Sequence, residues 1–484
     1  MPNWRTFFSR EVIIMLALVL VLASLSAATL VTIPRIFFDE ATAIEVARNF
    51  QLFGAPDILT APGHFSGFPY ITGSTGYPVT LPLAAIFDVF GFGFTQARIY
   101  ALLWLIAFFV TAWVFVRRFW NDSYATAALA LLIGFASLHD SGRRVMGDIP
   151  GFMLMLLGLL FLFKKNRLYS AGLFFGLAVA AKPSVYLLIL PALILMCILE
   201  DWRRAFRKLL PIGIGTALPL AAWILLQFPQ PFHLDTWRHV ISFYQNAFGS
   251  SYSPWASIVN NIKSFASQTT LIYFSVLAVP TIFAFREKLA KRDPLTIFLL
   301  LYGIFDVAYF LKSTGTIRYL LPLELFILLL LPYTIAWTLQ AVHTQSPIFG
   351  ARAIRYAFHA VVVGFGIFHI VQLFFFSSVL AKNTAHLQTL EFLKRYTTET
   401  IGIVSSPHIA AFISPEQKLH YVRETDQIIF GRNPLDMSRE TLPDILVIPS
   451  GYEEGIPFTE AEQRNLHRYT IIFEGRWNVY ALRP

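Results

Sequence analysis

The sequence has few charged residues and almost no cysteine, and both shortages narrow the classes of protein that it can encode. Only 14% of the 484 residues are charged, whereas about a quarter are charged in soluble globular domains. Apolar residues make up 56% of the chain, which predicts a multi-pass membrane protein. The single cysteine, Cys197, lies in an apolar run, which excludes a disulfide or thiolate metal framework within one chain.

The net charge of +9 does not indicate nucleic-acid binding, because the basic residues follow the apolar part of the chain. Residues 1–384 contain 28 Lys and Arg against 16 Asp and Glu, whereas the last hundred residues contain 10 against 13. An excess of basic residues in the short loops between apolar helices is the positive-inside signal. We therefore expect the bilayer, and no nucleic acid, as a partner.

Apolar runs suited to crossing a bilayer recur along residues 1–380, the predicted transmembrane domain. A helix needs about 20 apolar residues to cross a hydrocarbon core of about 30 Å. We predict about eleven spans, of which the first is long enough to be a retained anchor rather than a cleaved signal peptide. The runs cover residues 13–33, 97–116, 123–139, 149–163, 168–182, 184–199, 209–226, 270–285, 295–311, 319–340 and 356–380.

Clusters of Lys and Arg fall in every second gap between these runs, which predicts that those gaps and the N-terminus face the cytoplasm. The outer face of the cytoplasmic membrane then receives two long loops, at about 34–96 and 227–268. Both loops contain amphipathic stretches typical of helices that lie flat on a membrane. This topology requires the apolar stretch 79–92 to lie along the surface without spanning. The clusters are Arg5/Arg10, Arg117-Arg118, Lys164-Lys165/Arg167, Arg203-Arg204/Arg207-Lys208, Arg286/Lys288/Lys291-Arg292 and Arg352/Arg355.

Residues 381–484 differ abruptly from the rest of the chain, and an odd number of spans places them outside. Helix-like and strand-like segments alternate there, which predicts a small soluble extracytoplasmic α/β domain. The predicted helices cover His386–Arg395 and Thr459–His467, and the predicted strands cover Ile401–Val404, Ile445–Ile448, Thr470–Phe473 and Val479–Leu482.

Acids and bases that the topology does not explain gather on the predicted outer side. Asp39 and Glu40 follow the first apolar run, and Asp148 stands at the mouth of a later one. Ionisable residues at this depth are costly and are usually kept for chemistry or transport. A carboxylate here can act as a general base, while cations stabilise the charge on a lipid-linked phosphate leaving group. The candidate cations are Arg98, Arg143, Arg144, Lys182 and Arg318.

Short motifs along residues 10–325 occur in a distinctive order. They are Asp39-Glu40, Gln96-Ala97-Arg98, Gly147-Asp148, Gly176-Leu177-Ala178-Val179-Ala180-Ala181-Lys182-Pro183 and Arg318-Tyr319-Leu320-Leu321-Pro322. In order and spacing they resemble the C-type glycosyltransferase superfamily, nearest to its branch of protein O-mannosyltransferases and aminoarabinose transferases. One element departs from the relatives, which usually have His- or Lys-Pro-Pro-Leu where this chain has Gly76-Tyr77-Pro78-Val79.

The resemblance implies a polytopic helical fold with an outer α/β domain and a polyprenyl-phosphate sugar as co-substrate. It also implies that the first-loop acid is the catalytic base, which is Asp39 in this sequence. Glu40 and Asp148 match the accompanying acids of the relatives.

Each candidate also has an ordinary structural explanation. Asp39 and Asp148 occupy positions favoured at helix starts, and Glu40 suits the first turn of a helix. The arginines can anchor at lipid headgroups, and Lys182 can extend its amine to the outer surface. Two further acids, Asp306 and Glu324, lie within spans and are expected to pair with neighbouring helices.

The first functional hypothesis is an integral-membrane glycosyltransferase that transfers a sugar from polyprenyl phosphate to a glycan, lipid or protein acceptor. We expect no cofactor beyond this co-substrate and no metal, since no motif has metal-ligand spacing. The alternative is a membrane transporter or lipid flippase, but the sequence lacks the inverted repeats of many transporters. A polymerase or ligase of surface glycans would place its catalytic groups in a late outer loop.

Overall fold

Helices dominate the protein. The computed structural model describes residues 10–69, 74–163, 167–228, 231–245, 253–313, 315–345, 351–379, 382–425, 428–451 and 458–483. Arg5, Lys164, Lys165 and the predicted domain boundary at 380/381 lie outside these ranges. The helices that precede the C-terminal sheet are α1 Arg10–Ala27, α2 Phe38–Phe53, α3 Tyr77–Phe90, α4 Phe94–Phe119, α5 Asp122–Ile133, α6 Ala136–Gly142, α7 Asp148–Leu162, α8 Leu168–Ala181, α9 Pro183–Tyr186, α10 Ile189–Gln227, α11 Leu234–Gln245, α12 Pro254–Ser267, α13 Thr269–Ala290, α14 Pro294–Lys312, α15 Leu321–Gln345, α16 Ala351–Val379 and α17 Thr384–Leu393.

The apolar helices confirm a multi-pass membrane protein. Within the described residues, seven helical stretches are long and apolar enough to cross a membrane, and an eighth forms if α5 and α6, bent by 77°, count as one span. Other predicted runs fall on the shorter apolar helices α7 and α8 or on either side of a kink at Asp201 in α10. The number eleven remains a prediction. The stretches are Arg10–Ala27, Phe94–Phe119, Pro183–Gln227, Thr269–Ala290, Pro294–Lys312, Ile317–Thr344 and Arg352–Phe375.

The first long loop of the sequence prediction is a folded unit. It contains α2, the short antiparallel strands β1 (Leu59–Ala61) and β2 (His64–Phe65), and the helix α3. The stretch predicted to lie on the surface forms α3, which is too short to cross a membrane by itself. It packs on α2, α4 and α8. In the second loop, α11 and α12 are helices with strongly amphipathic sequences, as predicted.

Two glycines allow three segments near the predicted outer face to meet. A Cβ atom on Gly147 would lie 1.9 Å from the carbonyl oxygen of Ala181, and one on Gly76 would lie equally close to that of Ala180. The Gly76 N–H donates to the Ala181 carbonyl at 3.1 Å, and the Gly147 N–H donates to Thr75 Oγ1 at 3.2 Å. This close packing fixes the starts of α7 and α9, which bear Asp148 and Lys182.

The C-terminal part contains a six-stranded mixed sheet in the order β5-β4-β3-β6-β8-β7. Strand β3 pairs in parallel with β4 and β6, and the other pairs are antiparallel. The predicted α/β elements are confirmed within one or two residues, whereas β4 and β5 were not predicted. The elements are β3 Ile401–Val404, α18 Pro407–Ala410, β4 Lys418–Thr425, β5 Ile428–Phe430, β6 Ile445–Pro449, α19 Glu460–Leu466, β7 Tyr469–Phe473 and β8 Trp477–Leu482, with 3₁₀ turns at Ile317–Leu320, Pro434–Asp436 and Arg439–Thr441.

The C-terminal sheet packs directly on helix α2. Lys418 of β4 pairs with Glu45 of α2 at 2.7 Å, and both side chains are buried. Arg48 of α2 donates to the carbonyl of Ile413 at 2.7 Å. Helix α2 therefore holds the sheet through its middle turns while its first turn carries Asp39 and Glu40.

Candidate active site

Asp39 lies at the centre of a cluster of opposite charges. Arg318 NH2 donates to Asp39 Oδ2 at 2.7 Å, and the Lys182 amine lies 3.6 Å from the same oxygen. The Asp39 side chain is 19% exposed and that of Arg318 is 13% exposed, whereas Lys182 is almost completely buried. The carboxylate is therefore held by two cations and remains open to solvent on one side.

Asp148 joins this cluster from the first turn of α7. Its Oδ1 lies 3.9 Å from Arg318 Nε, and the side chain is 3% exposed. Asp148 Oδ2 and Arg318 Nε are both buried, and neither has a hydrogen-bond partner among the described residues. Both atoms therefore keep hydrogen-bonding capacity for a water molecule or a polar ligand.

The cluster brings together residues that are far apart in sequence. Asp39 comes from the start of α2, Lys182 from the break between α8 and α9, and Arg318 from the 3₁₀ turn before α15. Each of these side chains stands where a helix begins or ends, so the backbone can direct it out of the helix bundle.

Glu40 has a different environment from its neighbour Asp39. Its Oε1 lies 2.7 Å from Arg98 Nε, and its Oε2 accepts from Arg98 NH2 at 2.9 Å. Both side chains are completely buried, and Glu40 also accepts from the backbone N–H groups of Phe37 and Val145. Burial raises the pKa of Glu40, against the lowering effect of the Arg98 guanidinium. This geometry favours a structural ion pair over the predicted contact of Arg98 with a donor phosphate.

The two neighbouring arginines also differ. Arg143 is buried, where its Nε donates to the His139 carbonyl at 3.0 Å and its NH1 donates to Thr29 Oγ1 at 2.8 Å. Burial lowers the pKa of Arg143 to about 10. Arg144 is partly exposed and pairs with Asp140 at 2.6 Å. Arg144 therefore remains suited to a charged ligand, whereas Arg143 ties the α6–α7 turn to the end of α1.

Phe37 and Arg35 are candidate site residues that the sequence reasoning missed. The guanidinium carbons of Arg318 and Arg144 lie 4.7 and 5.2 Å from the centre of the Phe37 ring, so the ring links the two cations. Arg35 is exposed, and partial burial together with the nearby Arg144 guanidinium lowers its pKa. The sequence could have indicated both residues only through their position, since each lies within four residues of Asp39.

This arrangement can hold one anion and accept one proton. Arg318, Lys182 and Arg144 supply positive charge, while Asp39 supplies a carboxylate with an open side. Within the described part of the chain, no three His, Cys, Asp or Glu side chains are grouped in a way that would hold a metal ion.

One family model and several solved structures are similar to this chain. The model described as dolichyl-phosphate-mannose-protein mannosyltransferase matches residues 79–226. ArnT from Cupriavidus metallidurans in the apo state has a TM-score of 0.60 at 13% identity, with 97% of both chains covered. Its complex with undecaprenyl phosphate has a TM-score of 0.56 at the same identity and coverage.

A third structure extends the likeness to an archaeal enzyme. The oligosaccharyltransferase AglB from Archaeoglobus fulgidus, in complex with an inhibitory peptide and a dolichol-phosphate, has a TM-score of 0.57 at 11% identity. The alignment covers 99% of this chain and 75% of that one. A search of curated protein sequences found no match. The chain thus has the fold of ArnT and AglB, and the resemblance found in the sequence is confirmed.

Proposed function

We propose that this protein is an integral-membrane glycosyltransferase that uses a polyprenyl-phosphate sugar as donor. It would act on the outer face of the cytoplasmic membrane, with the N-terminus in the cytoplasm and the C-terminal sheet outside. The basic clusters in alternate gaps support this orientation. The observation that carries the proposal is the partly open Asp39 carboxylate, held between Arg318 and Lys182.

Asp39 acts as the general base in this proposal. It accepts the proton of an acceptor hydroxyl or amine as that atom attacks the anomeric carbon of the sugar. The bond from the anomeric carbon to the phosphate oxygen breaks, and its electron pair stays on the polyprenyl phosphate that leaves. One carboxylate and a phosphate leaving group are enough for this single displacement, which inverts the anomeric centre.

Arg318, Lys182 and Arg144 stabilise the negative charge that develops on the leaving phosphate. Arg318 Nε and Asp148 Oδ2 are buried and make no hydrogen bond among the described residues, so both atoms can bond to the donor. Asp148 would accept from a sugar hydroxyl, because its remaining oxygen is acceptor-only when ionised. Glu40, Arg98 and Arg143 hold the surrounding backbone and do not touch the donor in this proposal.

The acceptor is a glycan, lipid or protein, and the sugar is a hexose or a pentose. Removal of metal ions by a chelator is expected to leave the rate unchanged, because phosphate charge is balanced by arginine and lysine side chains.

The experiment is turnover of Asp39→Asn in proteoliposomes supplied with radiolabelled undecaprenyl-phosphate sugars, one hexose and one pentose at a time. We expect the rate to fall by about 10²–10⁴-fold, the usual contribution of a general base. The matched control is Asp88→Asn in α3, an acid whose contact with Gln51 is exposed, and it should keep the full rate. Unchanged turnover of Asp39→Asn would reject the assignment of the base.

A further inference from the structure

Asn383 occupies a position where an asparagine usually caps its own helix, but its side chain bonds to a distant segment of the chain. It stands directly before α17 and makes no side-chain cap bond to that helix, although asparagine is among the favoured capping residues. The side chain is completely buried. It faces the segment of residues 31–36, which leads from the end of α1 to Asp39.

The side-chain hydrogen bonds of Asn383 all reach this distant segment. Its Oδ1 accepts from the Ile36 N–H at 2.6 Å, and its Nδ2 donates to the carbonyls of Val31 and Pro34 at 2.9 and 3.0 Å. Its own backbone N–H donates to the Thr32 carbonyl at 2.8 Å. Both N–H donors of the amide and one acceptor site are therefore used on one segment.

The ion pair between Arg98 and Glu40 also holds this segment. Arg98 NH2 donates to the Pro34 carbonyl at 3.0 Å while it also bonds to Glu40. The segment is thus bonded both to a transmembrane helix, α4, and to the residue that precedes α17. With the Asn383 side chain removed, its backbone bond to Thr32 and the packing of Ile36 with Ala411 would remain, whereas the Ile36 N–H would lose its bond to the amide.

We propose that Asn383 is a positioning residue for Asp39, through which the C-terminal part of the chain sets the direction of the catalytic carboxylate. This inference rests on the proposed function, in which Asp39 is the base. Asn383 fixes the amide of Ile36, three residues before Asp39, and so keeps the carboxylate within reach of Arg318 and Lys182. A displacement of about 1 Å at a reacting group can cost on the order of 10²-fold in rate.

A purely structural role would stabilise the C-terminal part without changing the surroundings of Asp39. The two roles separate in a chemical measurement that needs no substrate. A water-soluble carbodiimide with a glycine ester labels carboxyl groups that are accessible and protonated, and peptide mass spectrometry reads the extent of labelling at Asp39. A carboxylate that moves away from Arg318 and Lys182 is protonated more readily.

The variants are Asn383→Ala and Asn383→Asp in the full-length protein in detergent, with Asn433→Ala as the matched control. Asn433 is also buried and also uses its side chain on backbone and neighbouring groups, but its bonds to Leu435 and Glu462 stay within the C-terminal part. We expect labelling of Asp39 to rise by about threefold or more in Asn383→Ala, because the ion pairs that favour the charged form are weakened. Asn383→Asp keeps the acceptor for Ile36 and should give a smaller rise, while Asn433→Ala should match the wild type.

Two results would overturn the inference: unchanged Asp39 labelling in the folded Asn383 variants, or an equal rise in Asn433→Ala. If neither Asn383 variant folds, hydrogen exchange in the wild type decides, since the Ile36 amide must then be among the slowest to exchange in residues 30–38. Fast exchange there would contradict the proposal. These measurements are independent of turnover, so a failure of the proposed function, seen as an active Asp39→Asn, remains distinguishable.

Discussion

Asp39 and Glu40 are adjacent acids in the first turn of one helix, yet they have opposite environments. Asp39 shares one oxygen between Arg318 and Lys182 and is 19% exposed. Glu40 makes two close contacts with Arg98, and neither side chain has any exposed surface. Successive side chains on a helix point about 100° apart, so one faces the open cluster and the other faces the packed interior.

The difference in exposure between the two acids distinguishes a residue suited to catalysis, Asp39, from a residue that stabilises the surrounding structure, Glu40. A general base must exchange a proton with a substrate, which requires an open side. A fully enclosed ion pair instead links the first outer segment to α4, and removing one partner alone leaves the other charge buried, at a large cost in stability. The same contrast holds for the cations, because Arg318 and Arg144 border the open cluster whereas Arg98 and Arg143 are enclosed.

The largest expected effect comes from breaking the enclosed pair. Glu40→Gln leaves the Arg98 guanidinium buried without a counter-charge, and the free energy of unfolding should fall by about 3–5 kcal/mol. Asp39→Asn should lower it by less, since Asp39 and Arg318 are partly exposed and Arg318 still lies 3.9 Å from the Asp148 carboxylate. Unfolding of both variants in mixed detergent micelles measures this difference.

A double variant provides the control for this prediction. Glu40→Leu with Arg98→Leu removes both charges and should recover part of the stability that Glu40→Gln loses. Equal stabilities for Glu40→Gln and Asp39→Asn would contradict the contrast between the two acids.

The next prediction, of similar or smaller size, is that acid pH lowers the stability of the protein through the enclosed residue His386. His386 packs against Phe94, Phe412 and Trp477, and burial lowers its pKa to about 4. Below the ordinary histidine pKa of 6.5, His386 is protonated in the unfolded chain but stays neutral in the folded protein. Stability from this group is therefore complete above pH 6.5 and falls by up to about 3 kcal/mol as the pH drops toward 4.

The variant His386→Gln tests this linkage. Glutamine stays neutral and can still donate to the His408 carbonyl, which lies 2.9 Å from His386 Nε2. Its melting temperature in detergent should change less between neutral pH and pH 4 than that of the wild type. An identical pH dependence in the two proteins would show that His386 does not carry the effect.

The smallest expected effect concerns the binding of lipid phosphate at the open cluster. Arg318→Gln removes a charged donor, which should weaken binding of undecaprenyl phosphate by about 10–100-fold, the equivalent of about 1.5–3 kcal/mol. Arg143→Gln should leave the Kd near the wild-type value, because Arg143 is directed at Thr29 and His139. Titration of the lipid into purified protein measures both. Equal losses in the two variants would mean that the enclosed arginine also meets the phosphate.

Much of the architecture followed from the sequence. Apolar runs located the spanning helices, and alternating patterns located the strands at 401–404 and 445–449. Strand β4 was missed because its sequence, which includes Lys418 and Glu424, is largely polar and lacks a clear two-residue alternation, and β5 was missed because it has only three residues. The β1–β2 hairpin was missed because strands of two or three residues carry too short a pattern.

The candidate site was predicted only in part. Asp39, Asp148, Lys182 and Arg318 were all singled out, and the structure brings them together. The sequence could not separate Arg98 and Arg143 from this group, since charge and position relative to a span are the same for an exposed and an enclosed arginine. Asn383 gave no signal, because an asparagine before a helix is a common cap.

The sequence by itself determined that this is a membrane protein, which segments form its helices, and which charged residues lie near the boundary between membrane and water. Those properties depend on composition and periodicity, which are local. Only the tertiary structure decided that Asp39 is open while Glu40 is enclosed, and that Asn383, 347 positions from Ile36, holds the segment between the first helix and these acids. Burial and hydrogen-bond partners arise from contacts between distant parts of the chain, and no local pattern encodes them.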